Sequence, residues 1–171
     1  MVVRLSVLYL SLCVPLLAQP SEYAVKSACI ARFPSFFTWP EGALPQEELV
    51  LGVLGDDPSG GEFERLDGRT VLGRRFVVRK FSNAQQALGA CQLLYISASE
   101  EPRYDEIFRL LESAPILTIG ESRGFADKGR GILRLYLSED KVRFELNVDA
   151  ARRRKLSPSS QVVKIAKVVK D

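Results

Sequence analysis

Four short apolar runs, each closed by turn residues, constrain this chain more than any other feature. They are LVLGVLG at 49–55, RFVVRKF at 75–81, QLLYIS at 92–97 and PILTIG at 115–120. Each is too short for a helix core, is rich in β-formers and is bounded by Gly, Ser, Asp or Asn, so each reads as a buried strand. The segments between them read differently. Asp56, Asp57, Pro58, Ser59, Gly60 and Gly61 make a turn, followed by a short helix over 62–66. A second short helix is predicted over 83–90. A third, over 104–112, has Ile107, Phe108, Leu110 and Leu111 as its apolar side. Short buried strands alternating with helices imply a mainly parallel sheet with helices on both faces, joined by right-handed crossovers.

After residue 131 the period changes. ILRLYL and KVRFELNV alternate around Ser138, Glu139 and Asp140, which is the signature of a β-hairpin. Val142, Phe144 and Leu146 then share one face, opposite Arg143, Glu145 and Asn147. Asp149 is placed to cap a short basic helix. Ser157 and Pro158 form an N-cap and first-turn pair for a last helix that buries Val162, Ile165, Ala166 and Val169. At the other end, residues 21–37 read as a helix with Val25, Ala28, Cys29, Phe33, Phe36 and Phe37 on one stripe. Pro34 breaks it near residues 30–33, because proline lacks the backbone donor and clashes one turn back. The expected architecture is a single α/β domain over 19–171, closing with a C-terminal β-hairpin plus helix.

Residues 1–18 read as a cleavable export signal. Arg4 supplies the positive start, residues 5–17 the apolar core and Ala18 the small residue at the cut. That core falls short of the roughly 20 residues a membrane span needs. Removing the leader lowers the formal net charge from +3 to +2, a balanced surface unlike that of a nucleic-acid binder. No direct membrane insertion is expected after cleavage, and the periplasm is the expected location. Export places Cys29 and Cys91 in an oxidising compartment. A bridge between them stays open but is not favoured over two buried thiols.

The chain contains no histidine. That removes the commonest general base and zinc ligand, so no catalytic residue, no metal site and no cofactor is assigned. GDDPSGGEF has neither the dinucleotide-binding spacing nor the Lys-Ser/Thr of a phosphate loop. Ligands of parallel sheets bind beyond the carboxyl ends of the strands. Three such exits are polar here, and an acidic rim is expected where they meet. Asp56, Asp57, Ser99, Glu121 and Phe125 are the candidate ligand residues, for a cation or an amine. Turn chemistry alone also accounts for these residue types. The run Arg152, Arg153, Arg154 and Lys155 reads as a solvated helix face.

The order of blocks resembles the YfiR family of periplasmic proteins. The blocks are EYAVKSACIARFPSFFTWP, LVLGVLGDDPSG, GRTVLGRRFVVRKF, CQLLYISASE, PILTIGESRGFADKGRGI and VRFELNVDAARRRKLSPSSQVVKIAKVV. The resemblance implies a periplasmic α/β domain, often dimeric, that binds the periplasmic region of an inner-membrane diguanylate cyclase. Such a domain restrains cyclic di-GMP synthesis and biofilm growth. The implied partner is therefore an inner-membrane signalling protein. The candidate contact is the aromatic segment Phe33, Phe36, Phe37 and Trp39. The alternative is a periplasmic small-molecule sensor serving a histidine kinase or transport system. The resemblance also places Gly52 where relatives often carry a cysteine that pairs with the one matching Cys91. Ser59 stands where relatives commonly have Phe, and Pro34 interrupts a helix that is usually continuous.

Overall fold

A computed structural model describes residues 20–127 and 130–171; the leader read over residues 1–18 lies outside them. Helix α1 (Glu22–Arg32) starts at Ser21, whose Oγ accepts from Ala24 N at 3.1 Å. It ends where Pro34 requires, passing into a 3₁₀ turn over Phe33–Phe36 and then into β1 (Phe37–Thr38). Its inward face is not the predicted stripe. Lys26, Ser27, Ile30 and Ala31 are buried, while Ala28 is exposed and Val25 and Cys29 are half-buried. The helix is turned because Lys26 pairs with Glu121 at the strand exits as well as with Glu22 on its own helix, which no hydrophobic count can foresee.

The four apolar runs become β2 (Glu48–Leu54), β4 (Arg74–Phe81), β5 (Leu93–Ile96) and β6 (Leu117–Gly120), with β3 (Thr70–Val71) as a short edge before β4. The predicted helix over 83–90 is only a 3₁₀ turn at Ala84–Ala87, capped by Asn83. Helix α2 (Tyr104–Leu110) follows a 3₁₀ stretch that contains Pro102. β7 (Leu133–Ser138) and β8 (Lys141–Asn147) form the expected hairpin. Glu139 and Asp140 both take positive φ, 52° and 57°, the geometry of a two-residue turn that matches strand twist.

The C-terminus departs from expectation. Asn147, not Asp149, caps α3 (Val148–Arg153), accepting from Ala150 N at 2.7 Å. Ser157 and Pro158 do not start a helix; they form β9, paired with Phe37 and Thr38 of β1. Ser159 caps a shorter α4 (Ser160–Ile165), and the chain then re-enters the sheet as β10 (Lys167–Val169). Val162 is buried as expected, but Ile165 is 67% exposed and Val169 lies in the strand. β-Branched residues at helical spacing serve a strand equally well. Here the free edge of β8 takes them, and Lys167 pairs with Glu145 across it.

The large sheet runs in the order β10-β8-β7-β6-β5-β2-β4-β3. β4, β2, β5, β6 and β7 are mutually parallel, β3 and β8 antiparallel to their neighbours, and β10 parallel to β8. One face carries Leu49, Leu51, Val53, Leu93, Tyr95 and Leu117 under α1, α3 and α4. The other carries Val50, Leu54, Leu94 and Ile96 under the Ala84–Ala87 turn, α2 and Phe125. Gly52 faces this second side, and a Cβ there would meet Phe81 at 2.5 Å and Leu94 at 2.9 Å. Phe81 therefore occupies the space a side chain at position 52 would need. Cys29 packs against the first core and Cys91 lies in the second; both are free. With the sheet between them, the Cys29–Cys91 bridge has no route in this fold.

Candidate functional site at the strand exits

The chain leaves β2 on one side and β5 on the other, so the exits of these adjacent strands form the switch point where parallel sheets place ligands. Gly55 makes the approach close. Its φ is +86°, and a Cβ would stand 2.5 Å from Ser99 Oγ and 2.8 Å from Glu100 Cγ. Asp56 N donates to Ser99 Oγ at 3.0 Å, tying the two exits together. Asp57 Oδ1 accepts from Ser59 N at 2.8 Å, and Ser59 Oγ accepts from Phe63 N at 3.2 Å. Ser59 thus has a local role, organising the turn that drops Phe63 into the core.

Glu121, one residue past β6, is the centre of the rim. Its Oε1 accepts from the Tyr95 hydroxyl at 2.8 Å, and its Oε2 accepts from Tyr23 at 3.3 Å and from Lys26 Nζ. Lys26 also pairs with Glu22 one turn earlier on α1, and its side chain is only 3% exposed. Its ammonium lies 4.7 Å from the centre of the Tyr23 ring. Burial, reinforced by the Glu121 charge, pushes the Tyr23 phenol up to about 12. The same causes raise Tyr95 further. Both phenols stay protonated at neutral pH and donate to one carboxylate. The arrangement is a clasp holding α1 to the sheet, with every strong donor already committed to an acceptor inside it.

The predicted rim residues separate into two groups. Asp56, Asp57, Ser99 and Glu121 lie at the strand exits, as expected. Phe125 does not line them. It is fully buried, edge-to-face with Tyr104 at 5.5 Å and Phe108 at 5.3 Å, and its ring lies against Gly120 and Gly131. Among the described residues, no three His, Cys, Asp or Glu side chains gather as a metal group. The aromatic candidates also divide. Phe33 and Phe37 are 4% and 6% exposed and belong to the core, with Phe33 edge-to-face on Phe144. Phe36 and Trp39 are half-buried, and Trp39 Nε1 donates to Pro34 O at 3.1 Å. Phe36 O accepts from Ser159 N at 2.7 Å, so this segment also fastens the C-terminal elements.

Sequence reasoning missed Tyr23, Lys26 and Tyr95. The one available signal was Glu22 four residues before Lys26, a helix pair that usually lies on the surface. It also missed a cleft of about 860 Å³ between the Ala84–Ala87 turn and α2. Asn83, Gln86, Arg103, Glu106 and Ile107 line it, and buried Glu100 pairs with Arg103 at its upper end. Among the described residues, no helix is long and apolar enough to cross a membrane. A family model described as YfiR/HmsC-like matches residues 23–167. No curated protein matches the chain.

Proposed function

The chain belongs to the YfiR/HmsC-like family, and from that premise we propose that it is a periplasmic regulatory binding protein in cyclic di-GMP signalling. It restrains an inner-membrane diguanylate cyclase by binding the cyclase's periplasmic region. The family match over residues 23–167 carries this reading. At the rim the lysine, two tyrosines and Glu121 are bonded to one another, which fixes α1 on the sheet. The export signal read over residues 1–18 supplies the location. Of the aromatic set, Phe36 and Trp39 keep exposed surface for a partner. The test is cellular cyclic di-GMP in a strain lacking the gene. The nucleotide should rise, and return to its starting level when the gene is restored with its leader. An unchanged level in the deletion strain would sink the reading.

The cleft beside α2 favours a second reading, a small-molecule sensor serving a histidine kinase or transport system. Its volume of about 860 Å³ lies within the range of ligand sites. A thermal-shift screen of periplasmic metabolites tests it. A ligand whose shift is lost in Glu106→Ala would support the reading, and a screen without any shift would count against it.

A further inference from the structure

Among the described residues, no helix packs over one face of β7, β8 and β10, where Arg134 and Tyr136 are half-buried and Arg143 and Lys167 are exposed. The register aligns Arg134, Glu145 and Lys167 in one row across the three strands, with Tyr136 and Arg143 in the next. Glu145 is 7% exposed and accepts from Arg134 at 3.2 Å and Lys167 at 2.9 Å. Arg134 is further fixed by its Nε, which donates to Glu121 O at 3.1 Å, and its guanidinium lies 5.0 Å from the Tyr136 ring. Arg123 stands beside this row on the loop after β6. Together the loop and strands bound a shallow depression of about 530 Å³.

We propose that this open face is the docking site for an acidic, extended segment of the partner protein. The inference rests on the regulatory reading above and specifies the chemistry of that partner. Charge complementarity carries it. Arg123, Arg134 and Lys167 line the depression with two carboxylates, exposed Asp127 and the Glu145 that two of these cations already share, and Arg143 adds a further cation in the next row. Arg123 and Arg143 are exposed and have no carboxylate partner among the described residues. An arginine fork with a fixed side chain suits carboxylate recognition, because less freedom is lost on binding. The depression is open and crosses three strands, which fits a chain segment better than an enclosed small molecule. A buried glutamate that holds two cations in place presets the surface before the partner arrives.

The test uses a fluorescent peptide alternating glutamate with serine, read by anisotropy at low salt. Wild type should bind it, Arg123→Glu/Arg143→Glu should bind about tenfold more weakly, and Arg69→Glu/Arg75→Glu, with the same change in net charge, should match wild type. Equal melting temperatures would exclude misfolding as the cause. Equal peptide binding by all three proteins would overturn the proposal. So would binding only to vesicles containing phosphatidylglycerol, which would make the face a lipid surface. The same three genes, returned to the deletion strain, separate this proposal from the broader one. Wild type and the control lowering cyclic di-GMP, with Arg123→Glu/Arg143→Glu failing, supports the docking face. All three lowering it overturns the face and leaves the regulatory reading intact. Wild type failing sinks that reading, and the peptide measurement alone then decides the face.

Discussion

Replacing Glu121 by alanine takes one acceptor away from three donors, and the cost is set by how deeply those donors are buried. Lys26 has a side chain 3% exposed, and Tyr95 is 1% exposed. Breaking a buried ion pair by removing one partner costs about 3–5 kcal/mol, and an orphaned buried hydroxyl adds about 1–3 kcal/mol. Glu22 remains beside Lys26, but it is partly solvated and offsets only about 1 kcal/mol. The net expected loss is about 5 kcal/mol. The reverse change, Lys26→Met, leaves no buried charge behind, and Glu121 keeps both phenols and contact with water. It should cost only about 1 kcal/mol. The double variant should lose about 2 kcal/mol, far less than the two single losses together, since it contains no stranded cation. Urea unfolding of the purified proteins measures all four stabilities. In melting temperature, the gap between the single variants corresponds to roughly 8–16 °C for a domain of this size. A Glu121→Ala loss no larger than that of Lys26→Met, or strict additivity in the double variant, would refute the clasp.

Gly55→Ala should destabilise by more than about 2 kcal/mol, because it combines positive φ with contacts to Ser99 and Glu100, whereas Gly60→Ala, at φ +61° in open space, should cost only about 1 kcal/mol; matching urea midpoints would contradict this. Burial opposes ionisation of Glu145, but hydrogen bonds from Lys167 and Arg134 outweigh it and hold the carboxyl below its ordinary value. The stability it contributes is therefore present above the unfolded glutamate value of about 4.3 and is lost as pH falls through the lower folded value. Glu145→Gln should narrow its stability gap to wild type between about pH 6 and pH 3, and a gap independent of pH would argue against the pairings. Burial pushes the Cys91 thiol up to about 12 and raises Cys29 as well. Alkylation followed by mass spectrometry should label half-buried Cys29 slowly in the native protein and Cys91 only on unfolding, with a Cys29–Cys91 disulfide as the refuting result.

The legible parts of this chain were those where one physical term dominates. LVLGVLG, RFVVRKF, QLLYIS and PILTIG became the central strands because short apolar runs closed by turns have few alternatives. Pro34 ended α1 where its missing donor required. Errors came where two terms compete. Val168 and Val169 continue a helical spacing, yet the unpaired edge of β8 captures them as a strand. Ser157-Pro158 has good capping chemistry, yet pairing with Phe37 and Thr38 takes it and passes the cap to Ser159. Asp56, Asp57, Ser99 and Glu121 were legible at the strand exits because topology alone places them. Phe125 was misread because an aromatic after a polar exit looks like a lid until Gly120 and Gly131 reveal the slot it fills. Lys26 was invisible because its burial depends on Glu121, 95 residues away.

Glu121 also joins the two halves of the protein that matter for binding. Its carboxylate holds Lys26, Tyr23 and Tyr95 at the strand exits, while its backbone oxygen accepts from Arg134 on the open face. From Arg134 the contacts continue through Glu145 to Lys167 at the sheet edge. A displacement of α1 would have to strain or break the Lys26 pairing before it could leave the sheet, and Glu121 could not yield without disturbing the support of Arg134. Contact alone does not make such a chain a signal path; that requires an element with two arrangements which both ends bias. Helix α1 is held by two terms: the Lys26 pairing with Glu121, and Ile30 and Ala31 packed into the core of the sheet. A partner or ligand that changes the balance at Lys26 therefore acts on one of the two terms that hold α1, and Arg134 of the open face lies two contacts away through Glu121.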